Sequence, residues 1–367
     1  MSYSKLNLIE AVTLILIITI NKLFINMPQI ILISCGSSSI LNAIFISIIV
    51  ILFTCIVCKL FKCFSSYDII DVSYFVGGKF LKYLIGIFLL LYLTIISSTF
   101  LRDFVEIIHV LYYPDAPILY LLLFFVIITI ISNSIGNKSI VKTNVILSIL
   151  MVISLLISYF TISPNITFER IFPILGYGSY ETFFSTLTNI FAFNGLIILY
   201  LIPPLLENKK DFQKVSMIAI VISTILIILS TASMLLTFSF SPYIKEVSPL
   251  YMLLSNNELG KYLQHPESLY LFTWVLSFMS YLNLICMFLL LILKKLTNIK
   301  NEKPFLVPIS LIILIIALIP KNIMQVREFG KILLKYVATP ATFIVFPIIL
   351  ILANLKQKKI HKNNLDS

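Results

Sequence analysis

Nine long stretches without Asp, Glu, Lys or Arg constrain the fold of this chain most strongly. They are 17 to 36 residues long and cover 23–58, 83–101, 116–137, 143–168, 182–206, 215–244, 268–293, 304–320 and 336–355. A helix needs about 20 apolar residues to cross the hydrocarbon core of a bilayer, which is roughly 30 Å thick. The pattern therefore predicts an all-α polytopic membrane protein.

The composition excludes most soluble classes of protein. Charged residues make up 12% of the 367 residues and hydrophobic residues 59%, whereas a soluble domain averages about 25% charged residues. We find no HExxH, GxSxG or GxxxxGK[ST] motif. Cys55 and Cys58 have CxxC spacing without a second pair, which indicates apolar filler. We therefore expect no enzyme activity, no metal, no cofactor and no binding of nucleic acid.

Ten spans account for the apolar pattern. The stretch 23–58 holds the end of one span, a turn at 35–39 and a second span, and the segment before Lys22 completes the first. That segment is not a signal peptide, because no cleavage site follows it and Lys22 and Pro28 interrupt its apolar core. The predicted spans are 7–33, 40–60, 80–111, 116–134, 141–161, 182–204, 212–238, 267–293, 304–320 and 338–355.

The distribution of basic residues predicts the orientation. With both termini in the cytoplasm, the inner segments hold 18 of the 27 Lys and Arg residues, the outer loops seven, and Lys22 and Arg102 lie within spans. Basic residues favour cytoplasmic loops. The last outer loop, 321–335, fits least well because it carries four of them.

The ten spans divide into two halves of five within a single transmembrane domain, 1–355, which is followed by a basic cytoplasmic tail, 356–367. The halves, roughly 7–161 and 182–355, are separated by a polar outer loop, 162–181. An odd number of spans inverts the second half relative to the first. This five-plus-five inverted repeat is typical of secondary transporters, whose central site is formed by broken helices.

The first helix of each half is expected to be broken. Span one contains Asn21, Asn26 and Pro28, and span six contains Asn194-Gly195. Proline and asparagine weaken a helix, and irregular backbone in a membrane is tolerated only where it lines an enclosed cavity. The alternative is a pair of kinked but continuous helices packed through small residues.

A central ligand site would lie between these helices. Lys22 lies about 20 Å along the first helix, where it could attract a carboxylate, replace a bound cation, or form a structural pair with Glu10 or Glu106. Tyr92, Tyr270 and Trp274 could line the cavity or only pack. The predicted ligand-binding residues are Asn21, Lys22, Asn26, Tyr92, Phe193, Asn194, Gly195, Tyr270 and Trp274.

Three further charged residues lie in or beside spans. Arg102 and Glu106 are four residues apart and share a helix face, so they form either a structural ion pair at the outer interface or part of a gate. Glu267 begins span eight and is either a helix-start residue or a binding group. Charges at such depth usually face a partner or a cavity.

Several motifs in this order resemble one family. They are the first helix running from Thr19 into Pro28, Arg102-x-x-x-Glu106 followed by Pro114-x-x-Pro117, the run from Pro173 to Gly178, and Gly260 followed by Glu267-Ser268 and Trp274. Together they resemble the spore germination permeases. These are the B subunits of germinant receptors, which belong to the amino acid–polyamine–organocation superfamily.

The resemblance implies a receptor subunit that binds a small nutrient germinant, such as an amino acid, in the spore inner membrane and triggers germination. It also implies an A-type subunit and a lipoprotein C-type subunit as partners. Two departures concern the ligand: Asn21-Lys22-Leu23 replaces a small-residue Gly-x-Gly stretch, and His265 stands where the family often has Arg. The alternative function is an amino acid transporter of the same fold, coupled to protons or another cation.

Overall fold

The computed structural model describes residues 5–25, 27–162, 166–237, 248–255 and 266–363, without the side chains of residues 22–25, 162, 253, 266, 362 and 363. Within these ranges the chain is helical apart from connections and one isolated β-bridge between Leu6 and Leu206. The α-helices are α1 Leu8–Ile25, α2 Met27–Cys35, α3 Ser39–Phe61, α4 Ile69–Tyr112, α5 Ile118–Ile135, α6 Asn137–Ile162, α7 Ser179–Phe183, α8 Phe212–Thr237, α9 Pro249–Ser255, α10 Pro266–Thr297, α11 Leu306–Leu318, α12 Ile323–Ile332 and α13 Phe346–Asn363.

Eight helical stretches of the described chain are long and apolar enough to cross a membrane, and Leu8–Asn21 and Lys303–Leu318 are shorter apolar helices. This is the predicted all-α membrane architecture. The ten-span count and the inverted repeat remain predictions.

The first predicted span is described as the helical segments α1 and α2, and the residue between them, Asn26, lies outside the described residues. Pro28 lies within α2 and is buried. The break expected in the first helix therefore stays a prediction.

The sixth predicted span is an unusual helix. Residues Ser185–Leu201 form a 3₁₀ helix of 17 residues, called the long 3₁₀ helix below, and most of its side chains are buried. Runs of 3₁₀ geometry beyond three or four residues are uncommon. The backbone departs from helical geometry at Phe193, with φ −95° and ψ 15°, one residue before the predicted break at Asn194. The structure thus has a kink and a stretched helix where the sequence indicated a break.

The last span contains two π-helical segments, Leu333–Ala338 and Ala341–Val345, between α12 and α13. At the end of the second segment the N–H of Phe346 donates to the carbonyl of Ala341, five residues earlier. Pro347 has no N–H to offer the carbonyl of Thr342, and the hydroxyl of Tyr200 donates to that carbonyl instead, at 2.7 Å. The long 3₁₀ helix is therefore fixed to the irregular part of the last span.

Contacts between connecting segments fall into two groups, one at each end of the bundle. At one end, Leu6 pairs with the 205–207 segment, Lys295 bonds Asp68, and Lys356 reaches the carbonyl of Phe75. At the other end, Ser37 donates to the carbonyl of Pro173. These groups coincide with the predicted inner and outer segments, and the two ends are called inner and outer below, while the orientation itself stays a prediction.

The outer loop 162–181 is less polar than the sequence suggested. In its described part, the exposed side chains include Phe168, Phe172, Leu175, Tyr177 and Tyr180. Its backbone is held against the bundle, because Gly176, with φ +52°, lies so close to Cys35 that a Cβ there would be 2.5 Å from the Cys35 carbonyl oxygen.

Candidate functional site

The first helix crosses the long 3₁₀ helix at Gly195. A Cβ on Gly195 would lie 2.6 Å from Cα of Thr19 and 3.0 Å from the carbonyl oxygen of Ile18. No side chain fits between backbones this close. The missing side chain of Gly195 thus permits the crossing, and the glycine packs against α1 in this state.

A small cavity lies beside this crossing. Its lining combines α1, α4, the long 3₁₀ helix and α10, and consists of Ile18, Tyr92, Leu93, Ile96, Phe100, Asn194, Gly195, Ile197, Ile198, Tyr281 and Ile285. The space open to the centre of a water-sized sphere is about 10 Å³, which is room for about one water molecule. The cavity is therefore too small to hold an organic ligand unless these helices move apart.

A second cavity lies on the outer side of the first, and Phe100 contributes to both linings. In this outer cavity the space open to the centre of a water-sized sphere is about 30 Å³. The lining consists of Met27, Ile30, Thr99, Phe100, Asp103, Phe191, Val326, Arg327, Gly330, Lys331 and Leu334. The benzyl group of Phe100 thus stands between a cavity with charged walls and one with mainly apolar walls.

Asn194 connects the two cavities. It lines the inner cavity, and its amide donates to the carbonyl of Leu334, which lines the outer one, at 2.7 Å and to the hydroxyl of Thr339 at 3.2 Å. Leu334 lies in the first π-helical segment. The hydrogen bonds of Asn194 thus join the kinked part of the long 3₁₀ helix to the last span.

Asn21 binds a different helix. Its amide donates to the carbonyl oxygen of Ser277 at 2.9 Å and to the Ser277 hydroxyl at 3.1 Å, and the residue is 1% exposed. Its Oδ1 has no hydrogen-bond partner among the described residues. Asn21 thus fixes α1 to α10 and leaves one buried acceptor beside the end of α1.

The ion pairs at the outer end are buried. Arg102 binds Glu106, with 2.7 Å between Nη2 and Oε1, and donates to the carbonyl of Ala317 at 3.2 Å. Asp103, one residue further on α4, accepts from Nε of Arg327 at 3.1 Å. Together these contacts hold the outer half of α4 against α11 and α12.

The predicted aromatic residues fall into two groups. Tyr92 lines the inner cavity, whereas Tyr270 and Trp274 do not. Trp274 packs edge-on against Phe104 with ring centroids 4.9 Å apart, and Tyr270 lies 5.9 Å from Trp274. In this state both belong to the aromatic core between α4 and α10.

The other predicted residues are placed as follows. Phe193 is buried at the kink, and Glu267 is buried in the first turn of α10, where a negative charge suits the helix dipole. The side chain of Lys22 lies outside the described residues. Its two suggested structural partners have other contacts: Glu106 binds Arg102, and Glu10 accepts from the N–H of Asn7 at 2.9 Å.

Sequence reasoning missed Phe100, Tyr281 and Arg327. Phe100 and Tyr281 carry no polar signal, since an aromatic in an apolar run is usually packing. Arg327 lies on the outer loop with an excess of basic residues, and that excess was the one available signal.

The fold is shared with a transporter. The solved structure of a Na⁺-coupled sialic acid symporter, in a substrate-bound outward-open state that reveals a novel Na⁺ site, matches with a TM-score of 0.56 and 11% sequence identity. The match covers 95% of this chain and 76% of the symporter. At this identity the likeness concerns the fold alone.

The sequence comparisons identify the family. No curated protein matches the chain. A family model named Spore_permease and described as "Spore germination protein" matches residues 5–326, which is most of the chain and includes both cavities except for the residues after 326. By its sequence, this multi-pass membrane protein belongs to the spore germination protein family.

Proposed function

We propose that this chain is the membrane subunit of a germinant receptor and binds a small polar nutrient between α1, α4, the long 3₁₀ helix and α10. The closed cavity at the Gly195 crossing carries the proposal. Its wall combines apolar side chains with the polar groups of Tyr92, Asn194 and Tyr281, a combination common in sites for small molecules.

Signalling would use the contact between Asn194 and the last span. A nutrient can shift an equilibrium between two states only by binding one of them better. The cavity is too small for a nutrient in the state described here. The nutrient would therefore favour a wider state in which the Asn194–Leu334 contact changes, and A-type and C-type subunits would read that change from the last span. Arg102, Glu106 and the Asp103–Arg327 pair would act as the outer gate.

A Phe100→Trp variant tests the site. The indole is larger than the phenyl ring and would obstruct the passage between the cavities, so spores carrying the variant should lose their response to nutrient while the protein stays in the membrane. Phe124→Trp is the matched control, because Phe124 is 53% exposed on α5 and faces away from the core. A normal response of Phe100→Trp spores would contradict the proposed site.

Lys22 is proposed as the group that attracts an anionic part of the nutrient, on the strength of its position near the end of α1. Glu10 lies at the other end of α1, 12 residues away, or about 18 Å at 1.5 Å per residue. We expect Lys22→Met to abolish the nutrient response at near-normal protein level and Lys22→Arg to be partly tolerated. If the Lys22→Met protein is instead lost from the membrane and the added Glu106→Gln change restores it, Lys22 and Glu106 form a structural pair.

The orientation and assembly are proposed together. In a cysteine-free background, Tyr177→Cys should react with an impermeant thiol reagent in intact cells and Lys300→Cys should not, since both positions are exposed on opposite ends of the bundle. Loss of the A-type or C-type subunit should reduce the abundance of this chain.

The second candidate function is proton- or cation-coupled transport of an amino acid, which the transporter fold favours. Uptake of labelled amino acid into proteoliposomes that contain this chain alone, with ordinary turnover, would support transport as the primary activity. Loss of germination with uptake intact would support the receptor.

A further inference from the structure

A large open groove lies at the end of the bundle that carries the contact between Lys295 and Asp68. It has a volume of about 700 Å³ and lies between the α3–α4 connection, the start of α4 and the end of α13. Its apolar surface includes Phe64, Val72, Phe75 and Ile360, and Tyr67 and Tyr74 are about half exposed beside it. The groove thus offers apolar contact area next to polar hydroxyl groups.

The groove exists because α4 is kinked after its first two turns. Gly77 has φ −126° and ψ 18°, and Gly78 has φ +66° and ψ −154°, a conformation open to glycine. Because of the kink, carbonyl groups just before it lack the N–H donors that a regular helix would supply. Nζ of Lys356 donates to two of these carbonyls instead, at 2.7 Å to Phe75 and 3.3 Å to Val76. An ammonium has three N–H donors, so one remains for a ligand.

The surroundings of the groove are strongly basic. It lies where two lysine-rich segments meet: one holds Lys59, Lys62, Lys79 and Lys82, and the other Lys356, Lys358 and Lys359. Asp71 lines the groove, and both Asp71 and Asp68 are bound by Lys295. These two carboxylates and one ammonium sum to a single negative charge, against seven lysines in the two segments, so an excess of positive charge remains.

The groove is continuous with the lipid-facing surface. Lys356 also borders a second groove, together with Lys358 and Lys359, and the apolar wall of that groove is formed by Leu352 and Leu355. These two leucines are 47% and 56% exposed, and Phe80, directly after the kink in α4, is 78% exposed. Acyl chains can therefore lie along this surface while a headgroup reaches Lys356.

We propose that this groove binds the headgroup of an anionic phospholipid from the adjacent leaflet. The phosphate is held by Lys356, with Lys358 and Lys359 beside it, and the tyrosine hydroxyls are hydrogen-bond donors to the headgroup. The lipid joins the start of the third span to the end of the last one. Because the last span also contacts Asn194, lipid bound here stabilises the arrangement that closes the inner cavity.

Thermal unfolding of the purified full-length chain in a neutral detergent tests the proposal. Added phosphatidylglycerol should raise the unfolding temperature, and phosphatidylcholine with the same acyl chains should raise it much less. Glycerol 3-phosphate, which has the phosphate without the acyl chains, should have no effect. Each basic residue near an anionic membrane surface contributes about a fivefold change in affinity, so the Lys358→Gln/Lys359→Gln double variant should need about 25-fold more phosphatidylglycerol.

Matched variants distinguish a specific lipid site from a general effect of positive charge on lipid binding. Lys300→Gln removes an exposed lysine from the same end of the bundle, and Lys321→Gln removes one from the other end; both should keep the wild-type phosphatidylglycerol dependence. Lys356→Gln also removes the hydrogen bonds to the carbonyls of Phe75 and Val76, which changes the unfolding temperature without any lipid. For this variant, the number of bound lipid molecules is therefore measured by native mass spectrometry. Equal stabilisation by phosphatidylcholine, an equal effect of glycerol 3-phosphate, or an equal loss in Lys300→Gln would each overturn the proposal.

Discussion

Replacing Gly195 by alanine places a methyl group where two helix backbones already touch. The new carbon would lie 2.6 Å from Cα of Thr19 and 2.8 Å from its hydroxyl oxygen. Ordinary van der Waals distances of a Cβ begin at 3.4 Å, so α1 and the long 3₁₀ helix must separate by about 0.8 Å. Backbone atoms on both sides cannot rotate away, unlike the end of a side chain.

Forced overpacking of this kind costs about 1–3 kcal/mol, and occasionally more. We expect Gly195→Ala to reach the upper part of that range. Adding Thr19→Ala should recover little stability, because it removes the clash with the hydroxyl and leaves the closer clash with the backbone of residue 19 in place. The separation would also widen the adjacent cavity, so the nutrient response should change together with stability.

Thermal unfolding in detergent and spore germination measure the two effects. Gly86→Ala is the control, since its Cβ would meet Cδ2 of Leu296 at 2.4 Å, at the movable end of a side chain. It should cost clearly less than Gly195→Ala. If Gly195→Ala spores germinate normally and the protein unfolds at the wild-type temperature, the close crossing is not a constraint on the native state.

Three other changes have expected outcomes. Arg327→Met leaves the buried carboxylate of Asp103 without its partner and should cost about 3–5 kcal/mol, whereas the Asp103→Asn/Arg327→Met double variant should recover most of it in the same unfolding assay. Tyr200→Phe leaves the Thr342 carbonyl without a donor and should cost about 1–3 kcal/mol; unchanged stability would mean that another group bonds that carbonyl. Burial raises the pKa of the Glu302 carboxyl. The hydrogen bond from Lys294 and the positive charge of that lysine lower the pKa by more, so that it lies below the ordinary value of 4.5. The stabilising contribution of this carboxylate is therefore complete above pH 4.5 and is lost as the pH falls through the lower folded-state pKa, and Glu302→Gln should remove that part of the acid dependence.

The membrane architecture follows from the sequence because burial in lipid depends on local composition. The charge-free stretch 215–244 indicated a helix that the structure describes as Phe212–Thr237. The Arg102–Glu106 pair could also be predicted from the sequence, since residues four apart meet on any helix. These features depend on neighbours in the sequence.

The candidate site depends on contacts between distant residues. Arg327 lies 224 positions from Asp103, and Tyr200 lies 142 positions from Thr342. Whether Tyr92 or Trp274 faces a cavity depends on how α4 and α10 rotate against their neighbours, which the composition of each helix does not specify. The 3₁₀ geometry of the sixth span has no sequence signal that we recognise.

That geometry makes the thickness of the bilayer part of the energetics of this chain. Seventeen residues rise about 34 Å as a 3₁₀ helix and about 26 Å as an α-helix, and the difference of roughly 8 Å is a quarter of a typical hydrocarbon core. A thick, well-ordered membrane matches the extended form of Ser185–Leu201, and a thinner one would favour an α-helical form of the same residues. The thickness of the surrounding bilayer would then bias the length of the helix that crosses α1 at Gly195, without any ligand contact.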